Sequence, residues 1–141
     1  MVDIAVGSVS SLSGVRLTRE QRDAIVEHAR EEAPTECCGY GHGLDGAVEA
    51  VHRSQNLRDS RYGYELDGRS LLAANELDEQ GKQVFIYHSH PRSPAEPSQT
   101  DINLAHYPHW TYVIVSLDGE PDVRAWRIAE GRVEEDPIHI A

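Results

Sequence analysis

Cysteine is nearly absent: Cys37 and Cys38 are the only two in 141 residues, and they are adjacent. Neighbouring Cα atoms lie about 3.8 Å apart, too close for ordinary disulfide geometry, so the chain reads as reduced and intracellular. Long apolar runs are missing as well. None approaches the ~20 residues that span a bilayer, which excludes a helical membrane protein. Basic residues are scarce, 13 Lys and Arg against 24 Asp and Glu, for a net charge of −11. That balance argues against nucleic acid or an anionic membrane as a partner. The first basic residue is Arg16, so the start lacks the positive region of a secretory signal, and a cytoplasmic location is expected. Internal repeats and low-complexity tracts are also lacking.

What is present is an ordinary globular mixture. Hydrophobic residues make up 39% and charged residues 26%, which argues against wholesale disorder. The length suits one domain with a real core, taken here as residues 1–141, with 1–12 as a loose N-terminal arm or an added edge strand. Eight histidines are the compositional oddity.

The pattern along the chain alternates strands and helices, then closes on strands. Val15 and Leu17 predict a short strand. Thr18-Arg19-Glu20-Gln21 matches a capping box, opening a helix to about Glu32 that buries Ile25 and Ala29 and stops before Pro34. Glu36–His42 and Ala47–His52 predict a hairpin about Asp45-Gly46. Arg53–Arg61 reads as a polar loop and Tyr62–Leu66 as a strand. A second helix, from about Arg69 to Gln80, carries Leu71, Leu72 and Leu77. Val84–His90 predicts a buried strand whose end reaches a site. Prolines 91, 94 and 97 stiffen the next loop, and Ser98 opens a short helix to about His106. Three strands follow, Thr111–Leu117, Val123–Ala129 and Val133–Ile140. Together these predict an α/β mixed sheet flanked by helices.

His88-Ser89-His90 is the first candidate for chemistry. Residues i and i+2 of a strand face the same way, so both imidazoles can converge on one ion. Asp101, in the first turn of the following helix, is placed to be folded back by the proline-stiffened loop. Two imidazoles and one carboxylate are a typical catalytic zinc set with a fourth position open to water. On these residues alone a plainer reading stands beside it: two exposed strand-end histidines, and an Asp favoured at a helix N-terminus by the dipole.

The longer segment adds a pattern. Seven residues separate His90 from Ser98 and two separate Ser98 from Asp101, with Pro91 directly after the second histidine. This resembles the H-x-H-x7-S-x2-D signature of the JAMM (MPN-plus) metallopeptidases, and Glu36-Cys-Cys-Gly resembles the family's upstream E-x-C-G segment. The order of elements fits across essentially the whole chain. The resemblance implies the JAMM/MPN fold, which is cytidine-deaminase-like. It implies one Zn²⁺ held by His88, His90 and Asp101, with Glu36 as general base and Ser98 as the hydrogen-bond donor to the oxyanion. The chain is short, without room for substrate-clamping insertions, and so resembles the compact bacterial Mec-type members. That implies hydrolysis after the terminal glycine of a small ubiquitin-like sulfur-carrier protein with a Gly-Gly tail, releasing an appended amino acid, with cysteine as the candidate. A homo-oligomer is compatible with it.

Other features carry competing readings. Cys38 shares the strand face of Glu36, so a closed structural zinc site using its sulfur is one alternative, and a non-catalytic MPN-type binding module is another. Ser98 also fits a helix N-cap with an acid at N3, a role that coexists with catalysis. Gly39-Tyr-Gly41-His-Gly43 is followed by a hairpin rather than a helix, so it does not match a dinucleotide loop. Arg53, Arg58 and Arg61 form a basic cluster before Tyr62–Leu66, in its plain reading a solvated loop; the stretch, with Asn56, resembles the one beside the substrate groove of JAMM proteins, which implies a strand edge able to take a peptide by main-chain pairing. Trp110 and Trp126 are expected in the core or on a sheet face.

Overall fold

The computed structural model describes residues 14–58 and 63–141. The strands are β1 (Val15–Leu17), β2 (Cys38–Leu44), β3 (Ala47–Ser54), β4 (Gln83–His90), β5 (Thr111–Ser116), β6 (Asp122–Ala129), β7 (Arg132–Asp136) and β8 (Ile138–Ile140). The helices are α1 (Arg19–Glu32), α2 (Gly68–Glu79) and α3 (Gln99–Asn103). The strands form one sheet in the order β7-β6-β5-β4-β2-β3-β1-β8. The expected arm at residues 1–12 lies outside the described residues. No helix among the described residues is long and apolar enough to cross a membrane.

β4 is central, antiparallel to β2 and parallel to β5. Covered on both faces, it reads as a continuous apolar run rather than an alternating one. Alternation then divides its side chains. Val84, Ile86 and His88 face one layer with α2 and α3, where Ala73, Ala74, Leu77 and Ile102 pack. Phe85 and Tyr87 face the other with α1, where Ile25, Val26 and Ala29 are buried. Glycines on β2 make room for the rings of β4. A Cβ on Gly39 would meet the Tyr87 ring at 2.3 Å, and one on Gly41 the Phe85 ring at 2.2 Å.

Local signals set the element ends. Thr18 caps α1 with both arms of the capping box in place. Asp45 and Gly46 both take positive φ, 52° and 81°, the mirror-image turn that matches strand twist, so a hairpin follows the glycines as expected. On α2, Leu72 is 61% exposed, and the smaller Ala74 makes the buried contact instead.

Two predicted strands are corrected. Val133–Ile140 is not one strand, because Pro137 has no N–H to offer a ladder and divides it. Its halves lie at opposite ends of the strand order: β7 pairs with β6, and β8 pairs with β1. Asp136 and Ile138 are joined through one residue, a reach of about 7 Å at most. The sheet therefore curls until its two edges lie near each other, with the Val15 N–H bonded to the Pro137 carbonyl at 3.0 Å. Tyr62–Leu66 is the second correction. Gly63, Tyr64 and Glu65 are not in a strand, and only Leu66 makes a bridge, to Asn56. The Asn56 side chain occupies the groups a ladder would use, accepting from Glu65 N at 2.9 Å and donating to Gly63 O at 3.2 Å.

Candidate metal centre and its acid–base neighbour

His88 and His90 stand on the same face at the C-terminal end of β4, and both are buried. The 91–98 loop turns the chain back so that α3 delivers Asp101 to them. His88 Nε2 lies 3.1 Å from Asp101 Oδ1, and His90 Nε2 lies 2.9 Å from Asp101 Oδ2. The two Nε2 atoms are 3.3 Å apart. One ligand atom from each residue falls within 4.8 Å of the others. The three predicted ligands are thus brought together, and they are buried rather than the exposed side chains of the plainer reading.

The surroundings suit a cation. The Pro94 carbonyl can only accept, so its 2.7 Å contact fixes a proton on His90 Nδ1 and leaves Nε2 facing the cluster. Such an outer hydrogen bond is the usual means of orienting a ligating histidine. Asp101 is steadied by the Ser98 N–H at 2.9 Å. Burial alone would raise the Asp101 carboxyl, but the neighbouring His88 and His90 hold it well below the usual carboxylate range. His88 is lowered by burial despite Asp101. Two inward nitrogens and a carboxylate, packed closely in a buried cluster, form a donor set that fits zinc.

Glu36 immediately precedes β2. Cys38 is the register partner of His88, so extending the pairing by two residues sets Glu36 opposite His90. Its carboxylate is buried, and Oε1 has no hydrogen-bond partner among the described residues. Burial pushes it up to about 8, with Asp101 adding to the rise and His90 opposing it. A carboxyl in that range is suited to exchange a proton near neutral pH.

Ser98 is exposed and caps α3 with both arms of a capping box, its Oγ accepting from the Asp101 N–H at 3.1 Å. Because Oγ is the acceptor there, the hydroxyl proton remains available to donate elsewhere. Capping and oxyanion binding are therefore compatible, as expected.

The cysteines stay apart from this cluster. Both are buried and free, and burial pushes each thiol up to about 12. Cys38 Sγ points to the Gln55 carbonyl at 3.8 Å, and among the described residues the group able to hold a metal ion comprises His88, His90 and Asp101 without it. The closed structural site using Cys38 is not supported. Of the basic cluster, Arg53 is held by Glu31 through contacts of 2.9 and 3.1 Å, and Arg61 lies outside the described residues.

Sequence reasoning missed Tyr64 and Ser89, and it placed Asn56 beside a substrate groove by resemblance without its bond to Glu36. Tyr64 stacks on His88 with ring centroids 4.2 Å apart. Asn56 donates to the Glu36 carbonyl at 2.9 Å, and Ser89 Oγ accepts from the Cys37 N–H at 2.7 Å. Their one visible signal was position: Ser89 lies between the two histidines.

The family described as prokaryotic homologs of the JAB domain matches residues 18–129. This chain belongs to that family. It is 35% identical over 124 residues to the CysO-cysteine peptidase of Mycobacterium tuberculosis, covering 84% of this chain and 85% of that one. It is 37% identical over 123 residues to the desampylase of Haloferax volcanii, covering 81% and 88%. The crystal structure of AF2198, a JAB1/MPN domain protein from Archaeoglobus fulgidus, aligns with a TM-score of 0.61 at 18% identity, over 92% of this chain and 99% of that one. That last likeness is one of fold, and it agrees with the JAMM/MPN architecture expected from the motif.

Proposed function

We propose that this JAB-family chain is a zinc peptidase that cuts after the C-terminal glycine of a small ubiquitin-like sulfur carrier, releasing an appended amino acid. The observation that carries the reading is the buried Glu36 carboxylate, set opposite His90 in the His88–His90–Asp101 cluster, with its Oε1 lacking a hydrogen-bond partner among the described residues. A buried carboxylate oxygen with no partner is costly, and it is tolerated where chemistry needs a free proton acceptor. The names of the peptidase and desampylase relatives support the substrate class.

His88, His90 and Asp101 would hold the zinc, which when bound supplies Lewis acidity that acidifies water and polarises a carbonyl. Glu36 takes the proton from the attacking water and later gives it to the departing amine as the C–N bond breaks. Ser98 donates its hydroxyl proton to the oxyanion of the tetrahedral intermediate. Terminal glycines let the substrate backbone enter a narrow site where side chains would clash. Two buried free thiols fit a reducing compartment, and we place the activity in the cytoplasm.

Incubation of the zinc-loaded enzyme with a carrier ending in Gly-Gly-Cys, followed by intact-mass spectrometry, tests this. The expected result is loss of the appended residue alone. Glu36→Gln should keep zinc and fold but lose nearly all turnover, and Ser98→Ala should lose about 10²–10³-fold. Equal turnover of unrelated peptides, or no cleavage of any carrier bearing such a tail, would overturn the substrate. Wild-type activity in Glu36→Gln would overturn the general base.

A further inference from the structure

Glu36 presents a mechanical problem. It lies outside the strand ladder, and its Oε1 has no hydrogen-bond partner among the described residues to fix it. Its backbone is held instead, from both sides. Asn56 Nδ2 donates to the Glu36 carbonyl at 2.9 Å. One residue on, the Cys37 N–H donates to Ser89 Oγ at 2.7 Å, and the Ser89 N–H donates to the Cys37 carbonyl at 3.1 Å.

From this arrangement we infer that Ser89 and Asn56 are positioning residues that set the Glu36 carboxylate relative to the metal ligands. The inference rests on the general-base reading of Glu36. Ser89 is fully buried between His88 and His90 in sequence, but strand alternation turns it to the opposite sheet face, so it is no ligand. The residue that separates the two imidazoles thereby fixes the peptide next to the base. Any shift of β4 carries ligands and base together.

Asn56 acts from the other flank. Its amide is fully used, donating to the Glu36 and Gly63 carbonyls and accepting from the Arg58 and Glu65 N–H groups at 3.0 and 2.9 Å. The 63–65 segment that it grips carries Tyr64 onto His88. One side chain thus links the base to the stacked cover of a ligand. A displacement of about 1 Å in such a group is enough to cost on the order of 10²-fold in rate.

The test uses the full-length, zinc-loaded enzyme with Ser89→Ala, Ser89→Thr and Asn56→Ala, each alone and combined with Glu36→Gln. Ser89→Ala and Asn56→Ala should lower kcat about 10–100-fold, with KM within about twofold and zinc stoichiometry unchanged. Ser89→Thr keeps the hydroxyl and should recover most of the rate. Exchange of the Cys37 amide proton should quicken in Ser89→Ala. In the Glu36→Gln background neither alanine substitution should cost further rate, because the group they position is already disabled. Equal losses in both backgrounds would overturn the inference, as would wild-type kcat in both alanine variants while Glu36→Gln is inactive. Full activity of Glu36→Gln alone would instead remove the general-base reading, and this inference with it. Should Ser89→Ala fail to fold, Asn56→Ala decides.

Discussion

Tyr64 lies nearly flat against the His88 imidazole, with ring centroids 4.2 Å apart and planes 17° from parallel. His90 has the Pro94 carbonyl to orient it, whereas His88 Nδ1 has no hydrogen-bond partner among the described residues. The stack supplies the missing restraint. Tyr64→Ala should therefore weaken zinc binding about 10–100-fold, the usual scale for losing an outer support of a ligand. It should also destabilise the fold by about 3 kcal/mol through the cavity left. Tyr64→Phe keeps the ring and should hold zinc close to wild type. Chelator competition measures the first effect and thermal unfolding the second. Equal zinc affinity in all three proteins would deny the stack any part in orienting His88.

Both nitrogens of His90 face acceptors, Pro94 O at 2.7 Å and Asp101 Oδ2 at 2.9 Å. Burial works against charge there, but the bonds to Asp101 and Pro94 win and raise the imidazole above its ordinary value. In the metal-free protein a proton therefore sits on Nε2, where a zinc ion needs the lone pair. Zinc uptake in mildly acidic buffer should release protons, and fewer of them as the pH rises. Calorimetric titration in two buffers of different ionisation enthalpy reads this directly. A binding heat independent of the buffer would count against it.

The meeting of His88, His90 and Asp101 was legible in the sequence because its determinants are local. Strand alternation aims His88 and His90 together, and the spacing to Ser98 and Asp101 fixes where α3 begins. The Ser98 cap, visible as a box-like pattern, also orients the Asp101 carboxylate. The curl of the sheet was not legible, since it depends on which distant edges β7 and β8 join on either side of Pro137. The bonding of Asn56 was hidden for a related reason. Its four hydrogen bonds go to backbone groups, which leave no mark on residue identity at the partner positions. The same bonds explain why residues 63–65 of the expected strand do not form one: their ladder partner is a side chain.

On the opposite face, His28 Nδ1 and the Tyr87 hydroxyl meet at 2.6 Å in a buried contact between α1 and β4. Burial is the main cause lowering His28 from 6.5 to about 4, with Arg53 adding to it and Glu31 opposing. The folded state thus disfavours the proton that the unfolded chain accepts near pH 6.5. This contribution is full above that pH and is lost as pH falls toward 4, at about 2–3 kcal/mol by linkage. Urea unfolding at several pH values, on wild type and His28→Gln, should show a steeper decline for wild type between pH 6.5 and 4. Parallel curves would place the acid sensitivity elsewhere.

Cys38 is the register partner of His88 and shares its sheet face, which makes it the natural candidate for a fourth protein ligand. Ligation would require a thiolate, yet burial pushes this thiol up to about 12, and its hydrogen-bonding contact is with the Gln55 carbonyl. It packs instead among Tyr40, Tyr64, Ile86 and Ile114 as a small apolar side chain. Cys38→Ala should therefore retain one zinc per chain with affinity within about threefold of wild type, at a stability cost of about 1–2 kcal/mol for the lost sulfur contacts. Cobalt-substituted protein should lack intense sulfur-to-metal charge-transfer absorption if His88, His90 and Asp101 supply the donors, which are nitrogen and oxygen. Retained zinc would leave the fourth position open to water and substrate. Loss of zinc from Cys38→Ala, or a cobalt spectrum with sulfur bands, would instead close the site with a protein ligand, and a closed site has no place for the attacking water that hydrolysis requires.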